Sequence, residues 1–169
     1  MVHGIRVHAT GGRDVLRWEE IEIGEPDANE VRLRQTAIGI NFIDVYQRKG
    51  LYKRDLPYIP SSEAAGVVEA IGSAVDWLKP GDRVAYANAP GGYCEARLAD
   101  ANQLVKLPTS IDDTSAAAVF LKRLTAEYLL RRTIEIRPGH TVLFHAAAGG
   151  VGLIACASWS HRHRNRRLR

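Results

Sequence analysis

Cysteine is scarce in this chain: there are two in 169 residues, Cys94 and Cys156. Two cysteines make no disulfide framework, and these two lack the paired spacing of a structural zinc site. Both are expected to be reduced thiols. No stretch approaches the roughly 18 consecutive apolar residues of a membrane-spanning helix, so no membrane partner is expected. The N-terminal residues Met1 to Gly12 alternate polar and apolar side chains and do not read as a secretory signal, which makes the cytoplasm the expected location. There is no internal repeat, and acid is absent from the last ten residues.

That last absence explains the charge. The chain has 23 Lys and Arg against 19 Asp and Glu, and a pI near 9.3. Five of the 23 lie in residues 160–169, and without them 18 basic residues face 19 acidic ones, a net charge of −1. The basic balance belongs to the tail. A nucleic-acid binder carries its charge over a folded face, often with aromatic side chains interleaved, and none is legible here. Nucleic acid is not an expected partner.

What is present is a series of short β-prone runs separated by turn chemistry. Gly4 to Ala9, Val15 to Ile23, the alternating Glu30 to Ile38, and Ala64 to Ile71 with Gly66 inside it are predicted strands. Lys79-Pro80-Gly81-Asp82 is a turn leading into a strand over Val84 to Ala87, and Pro90-Gly91-Gly92 is a loop before a strand over Tyr93 to Leu98. Many short strands between turns predict an irregular barrel or sandwich. The pattern then changes. Ser115 to Leu121 and Thr125 to Arg132 are predicted helices, with Arg131 and Arg132 at the C-terminal end, where cations suit the helix dipole. A strand over Thr141 to Ala146 follows, then a Gly-rich turn and a helix starting near Gly150.

The strand, turn and helix order around Ala147-Ala148-Gly149-Gly150-Val151-Gly152 is that of a dinucleotide-binding fingerprint. A pyrophosphate must approach backbone N–H groups at a helix N-terminus, which requires small residues. Ala147 takes the place of the first glycine, Gly149 of the second and Gly152 of the third. Gly149 would admit the pyrophosphate, and Gly152 would permit tight packing of the helix. A Gly-rich turn alone is also compatible with a plain loop.

The run Ala37-Ile38-Gly39-Ile40-Asn41-Phe42-Ile43-Asp44-Val45-Tyr46, with Gly50-Leu51-Tyr52, resembles the quinone oxidoreductase branch of the medium-chain dehydrogenase/reductase superfamily, the zeta-crystallin-like group. Glu63-Ala64-Ala65-Gly66-Val67-Val68, Gly81-Asp82-Arg83-Val84, Phe120-Leu121-Lys122 with Leu124-Thr125, and Phe144-His145-Ala146 through Gly152 are similar to that group in the same order. The resemblance implies an α+β to α/β chain: a GroES-like β-barrel catalytic domain over residues 1–125, then the start of a Rossmann nucleotide-binding domain over 126–156. It also implies NADPH as cofactor, held with its nicotinamide in the cleft between the two domains. A quinone or another conjugated small molecule would be the acceptor, and full-length relatives would be homodimers. By residue, it implies that Asn41, Tyr46 and Tyr52 surround the nicotinamide and substrate. Asn41, Lys122, Thr125 and the turn Ala148, Gly149, Gly150, Val151 and Gly152 would contact the cofactor.

Zinc enzymes of the superfamily carry Cys at the position of Asn41 and Gly-His-Glu at Ser61-Ser62-Glu63, and the four-cysteine structural loop is missing too. No metal is therefore expected, and Glu63 becomes a structural or hydrogen-bonding carboxylate. Without a Lewis acid the acceptor must already be electrophilic, a quinone or an enone, and the protein chiefly positions the reactants. Tyr52 reads equally as a proton donor or lid and as a packing tyrosine. His3, His8 and His140 read as surface residues and His145 as structural. Two departures stand out: Arg123 where the family has Gly, and Ala157 where it has Gln. From residue 157 the match ends in an Arg/His tail, which reads as a shortened gene or a shifted frame. A ribose determinant about 20 residues past Gly152 would lie beyond Arg169. Three readings therefore remain: a quinone reductase, a non-catalytic remnant of one, and a related enoyl or alkenal reductase.

Overall fold

Val31 and Leu33 alternate with Arg32 and Arg34, and the consequence is a strand with one buried and one solvated face. The computed structural model describes residues 1–134, 136–137 and 139–162. It places β1 at Val2–Val7, β2 at Leu16–Ile21, β3 at Glu30–Ile38, β4 at Glu63–Ile71, β5 at Arg83–Ala87, β6 at Ala96–Asp100 and β7 at Leu104–Lys106. Its helices are α1 at Phe42–Arg48, α2 at Asp113–Glu127 and α3 at Gly150–Arg162, with a π-helical turn at Tyr128–Thr133. The chain divides into two compact units, Met1–Ala118 and Val119–Arg169.

In the first unit five strands form an antiparallel sheet in the order β6-β3-β4-β5-β7, and β1 pairs with β2 in a separate ribbon. The ribbon joins the rest through bridges at Gly4–Cys94 and Val7–Tyr58. Val31, Leu33, Val68, Val84 and Tyr86 are almost wholly buried and make the centre of one core. Each such side chain stabilises the fold by roughly 1.5–3 kcal/mol relative to exposure. Gly66 has the reason anticipated for it: a Cβ there would collide with the Arg34 carbonyl of the neighbouring strand. Tyr86 donates its hydroxyl to Gln35 at 2.5 Å, so the buried phenol is satisfied, and burial pushes its pKa up to about 12.

Three sequence expectations need correcting. The strand expected from Tyr93 begins only at Ala96. Residues 93–95 instead hydrogen-bond across to β1 and β3: Tyr93 O accepts from Ile5 N at 2.7 Å, and Glu95 N donates to His3 O at 2.9 Å while its carbonyl accepts from Gln35 N. The two helices expected over 115–121 and 125–132 are one α-helix, α2, followed by the π turn. Leu121, Lys122, Arg123 and Leu124 are all good helix formers, and no Gly or Pro interrupts them. Thr141 to Phe144 have no regular secondary structure and belong to no ladder, and His145 and Ala146 are in a turn. A strand takes its hydrogen bonds from a neighbour, and none runs beside this segment among the described residues. The helix expected near Gly150 is present and continues to Arg162, through the first part of the basic tail; residues 163–169 lie outside the described residues.

Candidate functional site

Asn41 is in extended conformation (φ −130°, ψ 145°) and caps α1. Its backbone N–H donates to Asp44 Oδ2 at 3.1 Å, the reciprocal arm of an Asn-x-x-Asp capping box. Asp44 is itself buried, and Tyr93 donates its hydroxyl to the same Oδ2 at 3.1 Å. Burial and then this carboxylate raise the Tyr93 pKa, so the phenol remains a donor. The Asn41 side-chain Nδ2 donates to Glu63 Oε2 at 2.9 Å. Glu63 opens β4 and is wholly buried. Its backbone carbonyl accepts from Gly39 N at 2.8 Å and from Ser61 Oγ at 3.2 Å, while Ser61 Oγ also reaches Gly39 O at 2.9 Å. Ser61 holds a left-handed backbone (φ 66°), which fixes this corner. Gly39 is small for a reason: a Cβ would meet Glu63 Oε2 at 2.7 Å. One amide is thus held at both ends, its backbone by Asp44 and its side chain by Glu63.

Beyond Asn41, α1 carries an aromatic row. Phe42 and Tyr46 meet edge to face with centroids 5.0 Å apart, and Tyr46 meets Tyr52 at 5.4 Å. The turn at Gly50 (φ 78°) brings the chain back, so that Leu51 N and Tyr52 N both donate to the Tyr46 carbonyl. Ile40, Phe42, Leu51 and Tyr52 are at least half exposed. A planar conjugated molecule could lie on such a face by stacking or edge contact. Of the residues that sequence reasoning singled out, Tyr46 and Tyr52 are therefore in contact, and Asn41 heads the helix that carries Tyr46.

The donor set does not suit zinc. An amide and two serine hydroxyls stand where thiolate and imidazole would be needed, and the single carboxylate, Glu63, already accepts the Asn41 hydrogen bond. Among the described residues no group of three or more His, Cys, Asp or Glu is placed to hold a metal.

The other candidates lie in the second unit. The turn closes with Gly149 N donating to Ala146 O at 2.8 Å, and α3 starts with Leu153 N donating to Gly149 O at 2.8 Å. The N–H groups of Gly150, Val151 and Gly152 form the first turn of α3, where intrahelical acceptors are lacking. A Cβ at Gly152 would stand 2.5 Å from Ala147 Cα, so this helix packs backbone to backbone on its turn. Gly149 and Gly150 are exposed, as a phosphate cradle requires. The Lys122 side chain lies over Gly150, whose Cβ would come within 2.8 Å of Lys122 Cδ. That brings a cation to the anion-binding end of α3. Thr125 Oγ1 donates back to Leu121 O at 2.9 Å, which leaves its lone pairs as acceptors. Small residues, free N–H groups and a nearby lysine fit a pyrophosphate.

Asp44 and Tyr93 were missed from the sequence. The Asn-x-x-Asp spacing was the available signal for Asp44; nothing local marks Tyr93. The histidines behave as expected at the surface: His3, His8 and His140 are exposed. Both cysteines are free, and burial pushes the Cys94 thiol up to about 11, which makes it unreactive. No helix among the described residues is long and apolar enough to cross a membrane.

Comparison with known proteins adds the following. Residues 27–120 match the alcohol dehydrogenase GroES-like domain. The chain is 54% identical over 160 residues to a quinone oxidoreductase of Pseudomonas aeruginosa, covering 92% of this chain and 49% of that protein. It is 44% identical to a 2-haloacrylate reductase of a Burkholderia species, covering 91% and 48%. Among solved structures, it is similar to the Escherichia coli quinone oxidoreductase complexed with NADPH, with TM-score 0.90, 48% identity, and coverage of 95% of this chain and 49% of that one. The chain spans about half the length of the curated relatives it matches.

Proposed function

For this chain, which belongs to the alcohol dehydrogenase GroES-like domain family, we propose a part in NADPH-dependent quinone reduction without metal. The observation that carries this reading is Asn41, fixed by the buried Glu63 at 2.9 Å at the head of an aromatic-bearing helix. An amide so held cannot swing, and it offers a fixed polar group beside a stacking surface. Residues 1–125 are read as the catalytic part and 126–156 as the beginning of the nucleotide-binding part.

When bound, reduced NADPH supplies the hydride. The turn at Ala148 to Gly152 and Lys122 bind its phosphates, and Thr125 accepts a hydrogen bond from the same molecule. Tyr46 and Tyr52 hold the flat acceptor, and Asn41 orients it. Tyr52, half exposed, is placed to act as a lid, and the proton that completes hydroquinone formation comes from solvent. Relatives of the two kinds named above, a quinone oxidoreductase and a 2-haloacrylate reductase, bracket the acceptor class: conjugated and already electrophilic.

A second reading, a family member that does not turn over, is favoured by residues Thr141 to Phe144, which form no strand ladder. NADPH oxidation by the purified chain separates the two. The first reading expects oxidation that depends on benzoquinone, runs at least tenfold faster than with an enal, and falls about 10²-fold or more in Asn41→Ala, the cost of a misplaced reactant. No acceptor-dependent oxidation would leave the second reading standing.

A further inference from the structure

The first unit holds a cavity of about 1140 Å³ that the reading above does not use. Five cations line it, Arg6, Lys49, Lys53, Arg54 and Arg97, with one acid, Asp55. This is not a reflection of the unit's composition. Residues 1–118 contain 13 Lys and Arg against 17 Asp and Glu, a net charge of −4. An acidic unit has gathered its positive charge at one concavity.

The five cations are not equivalent. Arg6 is committed to Glu19 at 3.0 Å. Arg97 is held by the carbonyls of Ala89, Pro90 and Leu98 and lies 5.0 Å over the Tyr86 ring. Lys49 and Lys53 make no ion pair among the described residues, and both are exposed. Arg54 has a single neutral partner: with the Gln47 amide turned so that its oxygen faces Arg54, the guanidinium donates to it at 3.3 Å. Three lining cations, close together in sequence, are therefore left without a carboxylate among the described residues.

The rest of the lining is rich in donors. Thr10 contributes a hydroxyl, and the Tyr58 hydroxyl is buried at the wall with no hydrogen-bond partner. Burial raises the Tyr58 pKa, so the phenol stays protonated at neutral pH. Gly50 and Gly91, both at positive φ, form part of the rim and keep side chains out of the mouth. Like charges held together without a counter-charge are costly, and an anion that bridges them removes that cost. A guanidinium gives two parallel donors to phosphoryl oxygens and the ammonium groups serve as point charges.

We propose that this cavity is a binding site for a phosphate-bearing small molecule, separate from the phosphate-binding turn of α3. Lys49, Lys53 and Arg54 supply the charge, and Thr10 supplies a neutral donor.

Calorimetric titration of the full chain with inorganic pyrophosphate at low salt tests this. Saturable binding is expected, weakened at least tenfold in the triple variant Lys49→Gln, Lys53→Gln, Arg54→Gln and at least threefold in Lys53→Gln alone. Exposed Lys53 has no partner to lose, so that single variant keeps the test valid if the triple variant folds poorly. The α3 turn can also take pyrophosphate, so the titration is repeated in Gly152→Ala, where the saturable binding that depends on Lys53 should remain. Binding that Gly152→Ala abolishes and Lys53→Gln spares would overturn the proposal, as would binding that never saturates. Equal affinity for citrate would overturn the assignment to phosphate.

Discussion

The two units of this chain bury apolar surface very differently. In the first, a continuous cluster runs through Val31, Leu33, Val68, Val84 and Tyr86, fed by alternation along antiparallel strands. In the second, the only buried hydrophobic side chains among the described residues are Ala126 and Ala155, while Leu124, Leu143 and Leu153 are 49%, 78% and 60% exposed. Yet each unit contains a proposed local site. In the first the site rests on a tertiary network, Asn41 with Glu63 and Asp44 with Tyr93. In the second it rests on backbone geometry within one turn, Ala146 to Gly152, which needs few long-range contacts. A phosphate cradle can be local; an oriented amide cannot.

The largest effects should fall where burial is complete. Leu33→Ala should cost about 2–5 kcal/mol in urea unfolding, whereas Leu153→Ala should change it by less than about 0.5 kcal/mol. Equal losses would dissolve the contrast. Glycine substitutions sharpen it. Gly66→Ala should destabilise the first unit by about 1–3 kcal/mol through overpacking against Arg34. Gly152→Ala meets backbone just as closely, but its effect should appear in NADPH binding with little change in the main unfolding transition.

Asp44→Asn should cost about 1 kcal/mol as the capping box and the Tyr93 hydrogen bond weaken, and it should lower acceptor turnover more than cofactor binding because both bonds are made to α1. The smallest effect is pH-dependent. The Lys106 ammonium, hydrogen-bonded to Asp82 at 2.7 Å, holds the Asp82 carboxyl below its ordinary value. The stabilisation is therefore complete above the unfolded carboxylate pKa and is lost as pH falls through the lower folded one. Acid titration of Asp82→Asn should show a shallower loss over that window. Because Lys106 is half exposed, the difference should stay below about 1 kcal/mol.

Much of this was legible in the sequence, for identifiable reasons. β3 was read to its boundaries, and β4 to within one residue, because one-sided burial writes alternation and apolar runs into the chain. Gly66 was read correctly because only close backbone approach demands it, whereas Gly152 packs on its own turn at Ala147 rather than on a strand. Short α1 was not seen: in its seven residues the polar Asp44 and Gln47 are buried while the apolar Phe42 and Ile43 are exposed, so no helical period emerges. The Asn41–Glu63 pair spans 22 positions and could be anticipated only as a carboxylate in need of a partner. The cavity cations come from four separate segments, which composition cannot gather.

Hydrogen exchange of the chain with and without NADPH tests the central claim most directly, because it reads both units at once. Alone, amides of β3 and β4 should be the most protected, and those of the turn and first part of α3 much less so. Saturating NADPH should slow exchange selectively at 148–153, with β3 and β4 unchanged. No change at 148–153 would contradict the assignment of that turn to a reduced dinucleotide.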